Sequence, residues 1–279
     1  MNTLWCNGQW VDALPAAPLD RGLTLGLGLF ETLLGLDGKV VFCERHLARL
    51  GAGCARLGWV APQNEFADLP GAMERLLQCS GYGTGRARLR LAISAGTGAL
   101  ADLTRGADRM VWMVASPVAA PPVSQALGVS PWPRNEHGAL AGLKCAAYAE
   151  NLLALDHARR AGFDETVFFN TAGKLCEAAT ANVFIVRDSE LRTPSLASGC
   201  LAGITREVVM ELAAQHGIPC EEVPLRQADL ESADEVFLTS ATRGPVAVSA
   251  IGARTLPQPR IGPRIRALWE AEVRRKILA

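Results

Sequence analysis

The chain has 279 residues, 49% hydrophobic and 20% charged, the profile of a soluble globular protein with one large or two moderate domains. Basic and acidic residues number 28 each, so the net charge is zero and no electrostatic footprint points to nucleic acid or to an anionic membrane. No apolar run reaches membrane-spanning length, the first eight residues lack a basic head before an apolar stretch, and the eight cysteines form no Cys-x-x-Cys pair and stand near no histidine at metal-ligand spacing. A cytoplasmic protein with no membrane partner, no disulfide framework and no metal is expected.

Leu4-Trp5-Cys6, the Asn7-Gly8 turn and Trp10-Val11 read as a hairpin. A glycine-punctuated segment from Asp20 to Leu34 ends as a strand, and Asp37-Gly38 turns it into Val40-Val41-Phe42. From Glu44 the period changes: Leu47, Leu50, Cys54 and Leu57 mark one face of a helix that ends near Gly58. Residues 65–79 suggest another helix, and Arg86 to Ser94 and Met110 to Val114 two strands. Ser116 to Val123 carries three prolines and sets the domain boundary: 1–116, a linker at 117–123, and 124–279. Beyond it a helix runs from Ala146 to Ala161 and another from Thr205 to His216, each stopped by glycine. Strands are expected at Val167 to Phe169, Val183 to Val186 and Glu235 to Leu238. Strands alternating with helices in both halves predict a mixed α/β protein.

The chain uses arginine almost everywhere and has four lysines. Lys39 and Lys174 follow turn dipeptides, and Lys276 lies in a charged C-terminal tail. Lys144 stands in Ala139-Leu140-Ala141-Gly142-Leu143-Lys144-Cys145-Ala146-Ala147-Tyr148 with no obvious charge partner. It is either a lysine snorkelling at a helix edge or an amine kept for its chemistry, because a desolvated lysine can lose its proton and attack a carbonyl whereas arginine cannot. An amine that carried pyridoxal phosphate would need an anion cradle and a carboxylate for the ring nitrogen. Gly203-Ile204-Thr205 opens a helix and is either such a cradle or a threonine-capped helix start. Ser240-Ala241-Thr242-Arg243-Gly244 is a polar turn that could add a hydroxyl, and Arg49 is either a phosphate clamp or a solvated helix arginine. Glu177, a charge among small residues before an apolar strand, either faces solvent or has a cationic partner.

Taken in order, Asp20-Arg21-Gly22, Phe30-Glu31-Thr32, His46-x-x-Arg49-Leu50, the Lys144 segment, Glu177 with Asn182-Val183-Phe184, Leu201-x-Gly203-Ile204-Thr205-Arg206 and Ala233 to Phe237 resemble the class IV aminotransferase family, the fold-type IV pyridoxal-phosphate enzymes. The likeness spans Asn7 to Ile251. It implies a small N-terminal α/β domain, a larger C-terminal domain, and pyridoxal 5′-phosphate in the cleft between them in a homodimer. By that resemblance Lys144 is the lysine that carries the cofactor and shuttles the proton, and Glu177 partners the pyridine nitrogen. Arg49, Ile204, Thr205 and Thr242 contact the phosphate, and Tyr148 lies near the phenolic oxygen.

The family includes branched-chain and D-amino-acid aminotransferases and 4-amino-4-deoxychorismate lyases, which release pyruvate and 4-aminobenzoate for folate synthesis. Thr32, where branched-chain enzymes usually carry glycine, and the modest length favour the lyase, with Thr32 assisting catalysis. An aminotransferase is the alternative, and a non-catalytic scaffold of the same fold a remote one. Two motifs depart from the family: Ser94 to Leu100 lacks the Gly-Arg-Gly-Tyr common in lyases, and Leu27 replaces the aspartate of a Gly-Asp-Gly. The substrate is a small amino compound whose carboxylate needs a cation, with Arg90 and Arg243 as the candidates.

Overall fold

The computed structural model describes residues 4–106 and 108–278 as a mixed α/β protein of two compact units. The first unit holds the residues up to Ala120, the segment Leu143–Tyr148 and the C-terminal residues from Arg275. The second holds Pro121–Gly142 and Ala149–Arg274.

The first unit carries β1 (Leu4–Cys6), β2 (Gln9–Val11), α1 (Arg21–Thr24), β3 (Gly28–Leu36), β4 (Lys39–Val40), α2 (Cys43–Arg56), α3 (Pro62–Glu65), α4 (Leu69–Cys79), β5 (Arg86–Ser94) and β6 (Val111–Pro117). Among the described residues its sheet has six strands in the order β2-β1-β6-β5-β3-β4, every pairing antiparallel. The first hairpin turns through Asn7 and Gly8, both at positive φ. One sheet face packs Leu33, Leu89 and Leu91 against Met73, Leu76 and Leu77 of α4 and Leu47 and Leu50 of α2. The helix expected at 65–79 is α4, which starts later, at Leu69, because the Asp68 carboxylate accepts from the Gly71 amide at 3.0 Å and caps it before Pro70, while Glu65 ends the separate short α3. β6 runs through Ser116 and Pro117, beyond the expected end of that strand. Pro117 closes it, where the missing N–H costs least.

The second unit contains β7 (Ser124–Val129), α5 (Ala149–Arg160), β8 (Glu165–Phe169), β9 (Leu175–Ala178), β10 (Asn182–Arg187), β11 (Glu190–Pro194), α6 (Ile204–Gln215), β12 (Cys220–Val223), α7 (Gln227–Glu231), β13 (Glu235–Ser240), β14 (Gly244–Ile251) and β15 (Arg254–Thr255). The last helix, α8 (Ile261–Leu278), starts there. The order is β12-β11-β10-β13-β14-β7-β8-β9, with β15 on β14, and the sheet is mixed because β11–β12, β14–β7 and β7–β8 are parallel. Val183 and Ile185 of β10 face one core with Leu127, Val167 and Leu238. Phe184 and Val186 face another with Val209, Ala213 and Ile265, and the Phe184 and Phe237 rings stack 5.0 Å apart. A strand buried on both faces has no polar alternation to show, hence the unbroken apolar run. The C-terminal residues around Lys276 form the last turns of α8 and not a tail.

Two corrections bear on the site. Helix α5 begins at Ala149, so the expected helix from Ala146 starts later and Lys144 stands at no helix edge. Helix α6 begins at Ile204 with Gly203 as its N-cap, so Thr205 is inside the helix and caps nothing.

Candidate active site

Around Lys144 the chain is extended. Phe30 N–H donates to Lys144 O at 3.0 Å, Ala146 N–H to Gly28 O at 2.8 Å, and Cys145 bridges Leu29, so the segment 143–148 lies along the start of β3. Glycine makes this approach possible: a Cβ at Gly28 would come 2.6 Å from Ile93 O and 3.3 Å from the Ala146 methyl. The Lys144 ammonium then rests 4.5 Å from the Phe30 ring centre, and the Arg90 guanidinium 4.0 Å from the same ring. Tyr148 meets that ring edge-on at 5.6 Å. Arg90 is opposite Thr32 in the β3–β5 register, so Phe30, Thr32 and Arg90 share the sheet face away from the α4 core. Burial lowers the pKa of Arg90, and the like charge of Arg88 adds to the effect.

On the other face of β3 lies Glu31. Its Oε1 accepts from Arg49 Nε at 2.8 Å, and its Oε2 accepts from Arg49 Nη2 at 2.6 Å and meets His46 Nδ1 at 2.7 Å. Burial by itself would raise the Glu31 carboxyl; the charge and hydrogen bonds of Arg49 and His46 outweigh it and hold the carboxyl at about 2. Burial lowers the pKa of His46 against the pull of Glu31, and the charges of Arg49 and Lys144 add to the lowering.

In the second unit Glu177 ends β9, and its Oε2 accepts from the Leu201 amide at 2.9 Å. Arg134 is its cation: Nη2 lies 4.0 Å from Glu177 Oε1, Nη1 lies 2.9 Å from Glu150 Oε2, and the guanidinium covers the Phe168 ring at 4.2 Å. Leu201 O accepts from Asn182 Nδ2 at 2.8 Å, and a Cβ added to Gly203 would overlap Asn182 Oδ1. The carboxylate is thus tied through Leu201 and Asn182 to the N-terminus of α6, where Ile204 and Thr205 are buried. Thr242 lies half-buried in the turn after β13. Arg243 is committed elsewhere: Nη2 donates to Thr180 Oγ1 at 2.7 Å and Nε to Ser240 Oγ at 3.1 Å, with buried Glu165 3.8 Å away. As a substrate cation Arg243 is therefore the weaker of the two candidates.

The first unit thus assembles Lys144, Tyr148, Arg90 and Thr32 around Phe30, with Arg49 on Glu31, and the second assembles Glu177, Ile204 and Thr205. Sequence reasoning passed over Phe30, Arg134 and Asn182 as site residues. Phe30 had a signal, since it alternates with Thr32 on a strand whose partner places Arg88 and Arg90 on the same face. Arg134 sits in a proline-flanked loop and had none.

The class IV amino-transferase family matches residues 28–251. A Methanocaldococcus jannaschii protein provisionally named a branched-chain-amino-acid aminotransferase is 30% identical over 275 residues, 96% of this chain and 94% of its own. The branched-chain aminotransferase of Thermoproteus uzoniensis, solved with norvaline, superposes with a TM-score of 0.89 at 26% identity, over 98% of this chain and 95% of its own. A Legionella pneumophila structure provisionally named 4-amino-4-deoxychorismate lyase gives 0.86 at 26% identity, over 93% and 96%. This chain belongs to the class IV aminotransferase family, the fold-type IV enzymes that work with pyridoxal 5′-phosphate.

Proposed function

We propose that this protein is an aminotransferase that moves the amino group of an α-amino acid to a 2-oxo acid, with Lys144 as its catalytic amine. One observation carries the reading: the Lys144 ammonium rests over Phe30 beside Arg90 and Tyr148, in a chain whose near-full-length relative is named for that reaction. The donor set suits pyridoxal phosphate. Lys144 offers an amine against an apolar ring, Glu177 a carboxylate fixed by the Leu201 amide, and α6 an N-terminus whose first amides can meet an anion.

When bound, pyridoxal phosphate presents an aldehyde to amines and a ring that withdraws electrons. The chain does the rest. Glu177 keeps the proton on the ring nitrogen, and Ile204, Thr205, Arg49 and Thr242 bind the phosphate, with Tyr148 near the phenolic oxygen. Lys144 Nζ takes the proton from the substrate Cα and hands it on, a general-base role that suits a lysine beside other cations. Arg90 pairs with the substrate carboxylate, and the half-buried Thr32 opposite it lines the same face.

The relatives' names favour transfer over the elimination that Thr32 and the chain length suggested, and an aliphatic amino acid is the first donor to try. Elimination of pyruvate from 4-amino-4-deoxychorismate stays as the second reading on the strength of Thr32. We read the protein as a homodimer because Leu19 and Leu23, near α1, are 73% and 71% exposed in the single chain. We read it as cytoplasmic because all eight cysteines are free thiols. No helix among the described residues is long and apolar enough to cross a membrane.

The pure protein should be yellow and form glutamate from leucine, valine or D-alanine with 2-oxoglutarate, and Lys144→Ala should lose both properties. Release of 4-aminobenzoate from aminodeoxychorismate, with no glutamate from any donor, refutes the transferase reading.

A further inference from the structure

Two buried polar side chains of the first unit take no part in the chemistry above. Glu31 on β3 is 1% exposed and His46 on α2 is 2% exposed. A carboxylate taken this far out of water needs partners for both oxygens, and Glu31 has them in Arg49 and His46. The carboxylate only accepts, so the imidazole proton sits on Nδ1 and His46 donates. The arrangement follows from the two periodicities: Glu31 alternates with Phe30 and Thr32 and so turns to the other face of β3, and His46 and Arg49, three apart, share one face of α2.

A helix arginine ordinarily samples many rotamers, and an anion that binds it must bear the loss of that freedom. Arg49 is held differently. Its Nε–Nη2 edge lies flat against Glu31, and Glu31 is itself fixed by His46. We infer that Glu31, oriented by His46, is a positioning residue that presets the Arg49 guanidinium for a phosphate monoester. The inference rests on the reading of Arg49 as a phosphate contact.

The sign of the effect separates positioning from charge. If Glu31 acted only through its negative charge it would repel the phosphate, and removing that charge would tighten binding. If Glu31 positions Arg49, removing it weakens binding, and only for ligands that carry the phosphate.

The test uses the full chain freed of cofactor, titrated with pyridoxal phosphate and separately with pyridoxal, which lacks the phosphate, and read by quenching of tryptophan fluorescence. Glu31→Gln keeps the shape but offers an N–H where Arg49 and His46 require an acceptor. It should weaken pyridoxal phosphate about tenfold or more, the scale of a lost charge-assisted pair, and pyridoxal less than about threefold. Arg49→Gln should lower the ratio of the two affinities in the same way. An unchanged ratio or a tighter phosphate ligand in Glu31→Gln, with the ratio collapsed in Arg49→Gln, overturns the inference and leaves Arg49 a phosphate contact. A ratio untouched by Arg49→Gln removes that contact and the inference with it. Should Glu31→Gln fail to fold, His46 gives the same answer: His46→Asn, which keeps a donor, should preserve the ratio that His46→Leu lowers, and equal behaviour of the two refutes the positioning role.

Discussion

Gly203→Ala tests whether the hydrogen-bonded path from Glu177 to α6 is as tight as it is drawn. The added methyl overlaps Asn182 Oδ1, which belongs to a side chain 6% exposed and held by its Nδ2 bond to Leu201 O at 2.8 Å. Gly203 itself has φ −75° and ψ 132°, so alanine meets no backbone strain there and the whole cost is steric. Either the methyl is forced into a packed site, for about 1–3 kcal/mol, or Asn182 swings away and forfeits a buried hydrogen bond, for about 1 kcal/mol. In the second case Leu201 is released too, and with it the amide that fixes Glu177 Oε2. A loss of about 1–3 kcal/mol should lower the melting temperature of the cofactor-free chain by roughly 2–5 °C, and the holoenzyme should bind cofactor more weakly. Calorimetry of the single variant beside Gly203→Ala with Asn182→Ala isolates the overlap: the double variant should recover part of the melting temperature but not the cofactor affinity. A single variant that melts within a degree of the parent and binds cofactor normally refutes the reasoning.

Arg90 and Arg243 should part in kind. Arg90→Gln should raise the KM for the amino acid about ten- to a hundredfold, the scale of one lost charge-assisted pair, at little cost in melting temperature. Arg243→Gln should cost stability, because Glu165, 1% exposed, loses the cation 3.8 Å away; steady-state kinetics beside thermal melts will show whether the two losses are exchanged. In acid the Glu31 cluster should fail early. Both shifts are downward, Glu31 from 4.5 to about 2 and His46 from 6.5, so the unfolded chain takes up protons before the folded one and stability falls as the pH drops. The His46 share goes from about pH 6.5 downward and the Glu31 share, about 3 kcal/mol, between about pH 5 and 2. Melting temperature against pH should be steeper in the parent than in Glu31→Gln, and parallel curves refute the assignment.

What could be read from the residues alone was whatever depends on local chemistry. Asn7-Gly8 demands positive φ at both residues and so reads as a two-residue turn. Leu47, Leu50 and Cys54 read as one helix face, and the Val183-to-Val186 run as a strand with nothing polar to show. Glu177 and the start of α6 lie within one unit, with Leu201 and Asn182 between them.

What could not be read depends on partners distant in sequence. Ala146 and Ala147 favour helix, yet the segment 143–148 is extended because its amides and carbonyls find β3 some 115 residues earlier. Propensity is worth a few tenths of a kcal/mol per residue, less than the hydrogen bonds and packing that override it. Tyr148 is for that reason not one helical turn from Lys144; it meets the Phe30 ring from a non-helical chain, and the two side chains come together through the ring and not through helix spacing. The same holds for Arg134, which is a loop arginine in sequence and becomes the neighbour of Glu177 only because β8 lays Phe168 beneath its guanidinium. In both places an aromatic ring on a strand sets where a cation can stand. For Lys144 the sequence singles out the cation, whereas for Arg134 cation and ring are joined only by the fold.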